Sequence, residues 1–200
     1  KEFGIDAELL IDHAWGRESV TMEDIQAYKP KNNSICSGQV LFKDYPYDEA
    51  LVVVKEMGDD IALQLSRKKK KATGMVLGVG MAGRSGGGGR HMSLSFSSPT
   101  QNDMEFRNAT ATLFRSMVGK DEYVRRFMIS LSGIVDDEAP RQLDLFLDNE
   151  EAQKRESIQK AILSIKDTYG KNAILKGMDY EEGATQKDRN VQIGGHKSGV

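Results

Sequence analysis

His91-Met92-Ser93-Leu94-Ser95-Phe96-Ser97-Ser98 alternates between large apolar and small hydroxyl side chains. Successive side chains of a strand point to opposite faces, so Met92, Leu94 and Phe96 enter a core while Ser93, Ser95 and Ser97 face away from it. That is the pattern of an antiparallel sheet with one solvated face. Upstream, Met75 to Met81 reads as a strand leading into the glycine run Gly86-Gly87-Gly88-Gly89. Downstream, Asn102 with Glu105 forms a capping-box start for a helix whose stripe is Phe106, Ala109, Leu113, Phe114 and Met117. Tyr123 to Val135 follows as a strand with Phe127, Ile129 and Leu131 inward.

The elements before this block complete the fold. Ser34 to Lys43 reads as a strand with Cys36, Gly38, Val40 and Phe42 inward, and Ser37, Gln39, Leu41 and Lys43 on the other face. Pro46 suits the first turn of a helix with Ala50, Val54, Met57, Ile61 and Leu65 buried, ending near Lys68-Lys69-Lys70-Lys71, where cations suit the helix dipole. The order β-α-β-β-α-β predicts an α+β fold, a four-stranded antiparallel-type sheet with both helices on one face in the split βαβ arrangement.

Outside this block, residues 5–16 have helical periodicity with Ile5, Leu9, Leu10 and His13 on one side. The polar stretch before Ser34, with Pro30, reads as a linker. Residues 150–169 predict a helix with Ile158, Ala161, Ile162, Ile165 and Tyr169 on its apolar side. The glycine-rich tail from Gly183 lacks periodicity and is expected to be disordered in isolation. The division is residues 1–18, a linker 19–34, a sheet domain 35–136, and a C-terminal region 137–200.

Two helices on one side leave the other face of the sheet open. Its expected residues are Ser37, Gln39, Lys43, Gly78, Gly80, Ser93, Ser95, Ser97, Arg126, Ser130 and Ser132, with Leu41 and Met128 as exceptions. Alternation puts Arg125 and Arg126 on opposite faces. Arg126 then faces a ligand directly, and Arg125 reaches one from the strand's end or pairs with an acid such as Asp121. A merely solvated face would look similar, and the charge distribution argues against it. Residues 29–130 hold sixteen basic and ten acidic side chains, residues 1–28 two and seven, and residues 131–200 ten and thirteen. A basic module between acidic flanks is the electrostatic footprint of phosphate binding.

Other chemistries find little support. No apolar run approaches the ~20 residues that span a bilayer. Gly78-Val79-Gly80-Met81-Ala82-Gly83 matches GxGxxG, but four glycines and a strand follow where a dinucleotide site needs a helix. His13, His91, His196 and the single cysteine, Cys36, have no metal-ligand spacing. No nucleophile elbow or Walker A loop is present. The carboxylates Asp59 and Asp60 lie about 100° apart around a helix, which suits a shared two-metal site poorly.

Arg141-Gln142-Leu143-Asp144-Leu145-Phe146 stands between the acidic stretches Asp136-Asp137-Glu138 and Asp148-Asn149-Glu150-Glu151. Crowded apolar side chains within polar flanks suit a docking peptide, or one that folds back on its own domain. Gln-Leu-x-Leu-Phe resembles the peptide by which bacterial DNA polymerases and repair proteins grip the sliding clamp.

Together these residues resemble the C-terminal half of a Y-family (UmuC/DinB-type) translesion DNA polymerase, most like the Gram-positive UmuC-like group. Phe3 to Leu10 with His13-Ala14-Trp15-Gly16 resembles the end of a thumb domain, and Ser37 to Tyr45 the opening strand of a little finger domain. Val124-Arg125-Arg126 is similar to that domain's last strand. Tyr169-Gly170-Lys171-Asn172-Ala173 and Gly194 to Gly199 resemble the group's tail. The resemblance implies a cytoplasmic, nucleoid-associated repair polymerase using Mg²⁺ on palm carboxylates. Palm and fingers are missing between Lys1 and Val200, so this stretch alone is expected to bind no cofactor and not to polymerise.

Its implied share is to hold damaged or primer–template duplex DNA through Ser37, Gln39, Lys43, Ser93, Ser95, Ser97, Arg125, Arg126 and Ser130. Gln142, Leu143, Asp144, Leu145 and Phe146 would bind the clamp. The alternative is a non-catalytic protein- or RNA-interaction adaptor on the same fold. An RNA-binding sheet should display aromatics for base stacking, and the expected open face has none.

Overall fold

The computed structural model describes residues 7–18, 20–28, 34–83, 88–137, 149–193 and 196–197. Its contacts divide the chain into two units, residues 1–32 and 33–200. In the first, α1 (Ala7–Ala14) is followed by α2 (Met22–Ala27), a short helix within the stretch expected to be linker. The Asp24 amide donates to Thr21 Oγ1 at 3.2 Å and the Thr21 amide donates to Asp24 Oδ2 at 2.9 Å. This capping box satisfies two amides that the first turn would otherwise leave without partners.

The second unit is built on β1 (Ile35–Pro46), α3 (Tyr47–Arg67), β2 (Lys70–Met81), β3 (Gly89–Thr100), α4 (Asp103–Met117) and β4 (Tyr123–Ser132). The strands lie in the order β1-β4-β2-β3, every neighbour antiparallel. Each crossover helix therefore joins two strands with a third inserted between them, as the split βαβ pattern requires. A short β5 (Val135–Asp136) pairs with Lys70 and Lys71 at the start of β2. The apolar stripes expected for α3 and α4 are all buried, against Met75, Leu77, Val79, Phe127, Ile129 and Leu131. Phe114 lies between Tyr47 and Phe127, with ring centroids 5.1 and 6.0 Å away.

Two local departures change which side chains face where. In β1 the alternation runs opposite to expectation: Ile35, Leu41 and Tyr45 are buried, while Val40 and Phe42 are 70% and 61% exposed. Ser37 and Gln39, in phase with Ile35 and Leu41, face the helices rather than the open side. Both apolar sets of β1 were plausible cores, and the odd-numbered set of Ile35, Leu41 and Tyr45 takes the covered face. Lys43 also lies toward the helices, its Nζ 3.1 Å from Glu49 Oε2 on α3. Against β2 the pairing of β4 steps from Gly80–Arg126 to Met81–Val124, leaving Arg125 as an extra residue, while against β1 the extra residues lie on β1 between Val40 and Tyr45. Val124 and Phe127 are both buried, so Arg125 and Arg126 are both exposed rather than on opposite faces.

The C-terminal region docks on the helices. In α5 (Asn149–Tyr169) the buried residues among those described are Gln159 and Leu163, while Ile158 and Tyr169 of the expected stripe are exposed. The deciding contact is polar: Gln159 Nε2 lies 3.2 and 2.9 Å from the Ala62 and Gln101 carbonyl oxygens and 2.8 Å from the Ser66 hydroxyl. A 3₁₀ turn (Gly177–Tyr180) and α6 (Gln186–Arg189) follow, then β6 (Gln192–Ile193) and β7 (His196–Lys197), which pair with each other. The tail expected to be disordered is instead held at Thr185 and Gln186. Buried Glu56 of α3 accepts from the Thr185 amide at 2.9 Å, the Thr185 hydroxyl at 3.1 Å and the Gln186 amide at 3.2 Å. Lys176 adds ion pairs to Asp59 at 2.9 Å and Asp103 at 2.5 Å.

Burial pushes the Glu56 carboxyl up from its ordinary 4.5 to about 7, against the lowering effect of the amides and hydroxyl that donate to it. A carboxyl whose folded value is raised takes up a proton on folding. Its contribution to stability is full below pH 4.5 and is lost as pH rises through about 7. Thermal unfolding between these limits should show stability falling with pH, and Glu56→Gln, neutral throughout, should flatten that dependence. An unchanged slope in the variant would assign the pH dependence to another group.

Candidate nucleic-acid interface

The strand register sets the open face in rows. Arg126 lies opposite Val40 and Gly80, Met128 opposite Gly38 and Gly78, and Ser130 opposite Cys36 and Val76. On the far edge His91, Ser93 and Ser95 stand opposite Gly78, Val76 and Gly74. Ser93, Ser95 and Ser97 are exposed, Ser130 is half-buried, and its Oγ lies 3.3 Å from Cys36 Sγ. The structure therefore brings together the expected Ser93, Ser95, Ser97, Ser130 and Arg126, and moves Ser37, Gln39 and Lys43 elsewhere. Gln39 Nε2 donates to Thr185 Oγ1 at 3.0 Å, and Arg189 Nη2 to Ser37 Oγ at 3.5 Å, so both side chains are engaged by the C-terminal segment.

Arg126 lies across Gly80 of β2. A Cβ on residue 80 would sit 2.2 Å from Arg126 Cγ and 2.4 Å from its Nε, so glycine at that position makes room for the arginine stem. Arg126 has no carboxylate partner among the described residues. Arg125 lines the same cleft as Arg126 and Val40, with its Nη1 3.6 Å from Asp44 Oδ1. Nearby, Arg90 grips both Glu122 oxygens at 2.6 Å, which holds the Glu122 carboxyl down at about 2 and fixes the turn before β4.

The sequence reading missed an apolar island on this face. Val40, Phe42 and Met128 (58% exposed) line one cleft with Gly38, Gly78, Gly80, His91 and Arg126. The open side thus does carry aromatics: Phe42 here, and Tyr123 (53% exposed) in the cleft of Arg125 and Arg126. The signal was available in β1, because Ile35, Leu41 and Tyr45 share odd numbering and can only be buried together if Phe42 points outward. The peptide Gln142, Leu143, Asp144, Leu145 and Phe146 lies outside the described residues. Among the described residues no group of three or more His, Cys, Asp or Glu side chains could hold a metal ion, and no helix is long and apolar enough to cross a membrane.

The impB/mucB/samB family C-terminal domain matches residues 32–145. Curated relatives include a putative UV-damage repair protein, UvrX, of Bacillus subtilis, 31% identical over 99% of this chain and 46% of its own length. DNA polymerase IV 2 of Halalkalibacterium halodurans is 28% identical over 83% of this chain and 40% of its own length. The chain thus spans less than half the length of these relatives. Among solved structures, the little finger domain of PolIV in a complex with a β-clamp processivity factor covers 57% of this chain and 100% of its own, at 12% identity and a TM-score of 0.40. A Y-family DNA polymerase chimera covers 66% of this chain and 36% of its own, at 14% identity and a TM-score of 0.42. With the family match running through all four long strands, the chain belongs to the impB/mucB/samB family and is a Y-family C-terminal region, homologous to UvrX and DNA polymerase IV.

Proposed function

We propose that this chain holds primer–template duplex DNA by its phosphate backbone and tethers a translesion polymerase to the bacterial sliding clamp. The observation that carries the DNA half is Arg126, a cation without a carboxylate partner among the described residues, lying over Gly80 on a face lined with Ser93, Ser95, Ser97 and Ser130. Small side chains let a backbone approach closely, hydroxyls and amides donate to phosphate oxygens, and arginine adds charge. Arg125 is a second phosphate contact in the same cleft. The clamp half rests on Gln142 to Phe146.

Arg126→Ala should weaken binding to all duplex sequences about equally and lower the salt slope by roughly 0.9, the share of one phosphate contact. Lys43→Ala, which loses contacts to Glu49 and the Tyr45 ring away from the open face, is the matched control and should change DNA binding little. Binding that ignores salt, or is untouched by Arg126→Ala, would rule out this face. The competing RNA-adaptor reading draws on Phe42, and predicts that Phe42→Ala weakens single-stranded RNA more than Arg126→Ala weakens duplex DNA. Phe42 and Tyr123 line separate clefts rather than one platform, and this favours the duplex reading, since stacking sheets set two or three aromatics together.

A further inference from the structure

Behind β1, on the side away from the open face, α3, α5 and the C-terminal segment enclose a second cleft of 470 Å³. Five cations line it, Arg67, Lys68, Lys166, Lys171 and Arg189, against one lining carboxylate, Asp60. Arg67 is paired with Asp167 at 2.6 Å, and Arg189 lies 3.7 Å from Asp60. Lys68 and Lys171 have no carboxylate partner among the described residues, and Lys166 Nζ donates to the Lys171 carbonyl at 2.8 Å. The cleft is therefore net cationic after its internal pairs are counted.

Two further observations give it a direction. Gly38, Arg189 and Gln192 line both this cleft and the open-face cleft that holds Arg126 and Met128, so the two meet at the edge of β1. Arg189 stands where they meet, and its Nη1 is buried with no hydrogen-bond partner. A buried donor left unsatisfied is destabilising, and an anion's oxygen would satisfy it.

We infer that this cleft is a second nucleic-acid site, which takes the phosphate backbone of an unpaired strand leaving the duplex on the open face. The inference rests on the duplex reading above for the origin of the strand. Stiffness decides between occupants. Duplex DNA, with a persistence length of about 150 base pairs, cannot turn around the edge of a single strand of sheet, whereas an unpaired strand can. A volume of 470 Å³ suits a nucleotide unit and not a double helix.

The test compares a blunt duplex with the same duplex carrying a 5′ or a 3′ oligothymidine overhang, using fluorescence anisotropy at several salt concentrations. The wild-type chain should bind one overhang form several-fold more tightly than the blunt form. Lys68→Ala with Lys171→Ala should erase that advantage and lower the salt slope on the overhang form by roughly 0.7 per lysine removed. Blunt-duplex affinity and unfolding temperature should stay unchanged, because both side chains are exposed. Lys171→Glu should turn the advantage into a penalty.

No overhang advantage in the wild type, or an advantage kept in full by the double variant, overturns the inference. An equal loss on blunt and overhang forms also overturns it, by giving the cleft to duplex contact. If oligothymidine alone binds through Lys68 and Lys171 while blunt duplex does not bind, the duplex reading fails and the single-strand site stands.

Discussion

Replacing Leu145 and Phe146 together with alanine is expected to reduce affinity for a bacterial sliding clamp by several kcal/mol, enough to remove measurable binding at micromolar concentrations. Each large apolar side chain that leaves a pocket forfeits roughly 1.5–3 kcal/mol, and short docking peptides concentrate their affinity in a few such anchors. Gln142→Ala should cost less, since a hydrogen bond exchanged with water contributes about 0.5–1.5 kcal/mol net. The fold is expected to be indifferent, because the peptide follows the last long strand within a polar stretch of sequence. Clamp titration and thermal unfolding of the same double variant separate two readings of the peptide. If unfolding drops sharply and the wild type never binds the clamp, Leu145 and Phe146 pack on their own domain and the tether is wrong.

The parts of the fold that could be read from sequence are those where one face is unambiguous. In β3 the serines leave no choice of core side, and in α3 and α4 the apolar stripes run for several turns. These elements determine the sheet, its open face and the place of Arg126. Errors arose where two apolar sets competed or a local irregularity intervened. In β1 either parity offered large side chains, and the choice is resolved only when the strand is followed on to Tyr45, in phase with Ile35 and Leu41. That choice carried Ser37 and Gln39 to the covered side and brought Phe42 into the site. One extra residue at Arg125 was enough to place two adjacent arginines in one cleft, and simple alternation cannot show that.

The C-terminal region was misread for a different reason. Its docking uses hydrogen bonds and ion pairs rather than an apolar stripe: Gln159 to two carbonyl oxygens, Thr185 and Gln186 to Glu56, and Lys176 to Asp59 and Asp103. Polar residues spaced 58 to 130 positions apart leave no periodic trace in a sequence. Their consequence is functional, because the docked segment carries Arg189 to the edge of the open face.

The crossing of α3 and α4 is a place where a single substitution should disturb the second unit strongly. Gly58 is buried there, and a Cβ at that position would lie 2.9 Å from Thr110 Oγ1, 3.1 Å from the Phe106 carbonyl oxygen and 3.2 Å from Arg107 Cα. Two of those neighbours are backbone, so they cannot rotate aside and the helices themselves must separate. Gly58→Ala sets opposing effects against each other: alanine gains about 1 kcal/mol in helix propensity, while overpacking costs roughly 1–3 kcal/mol. A small net loss is expected. Gly58→Val adds two methyl groups at the crossing and has a poorer helix propensity than alanine, so its loss should reach about 3 kcal/mol. For a unit of this size that corresponds to a drop of roughly 6–12 °C in unfolding temperature. The damage should spread to the ligand face, since α3 and α4 support the strands that carry Arg126 and Ser130, and DNA affinity should fall in parallel as the temperature approaches the lowered transition. A Gly58→Val chain that unfolds within a degree or two of wild type would mean that the helices cross less tightly than these distances require.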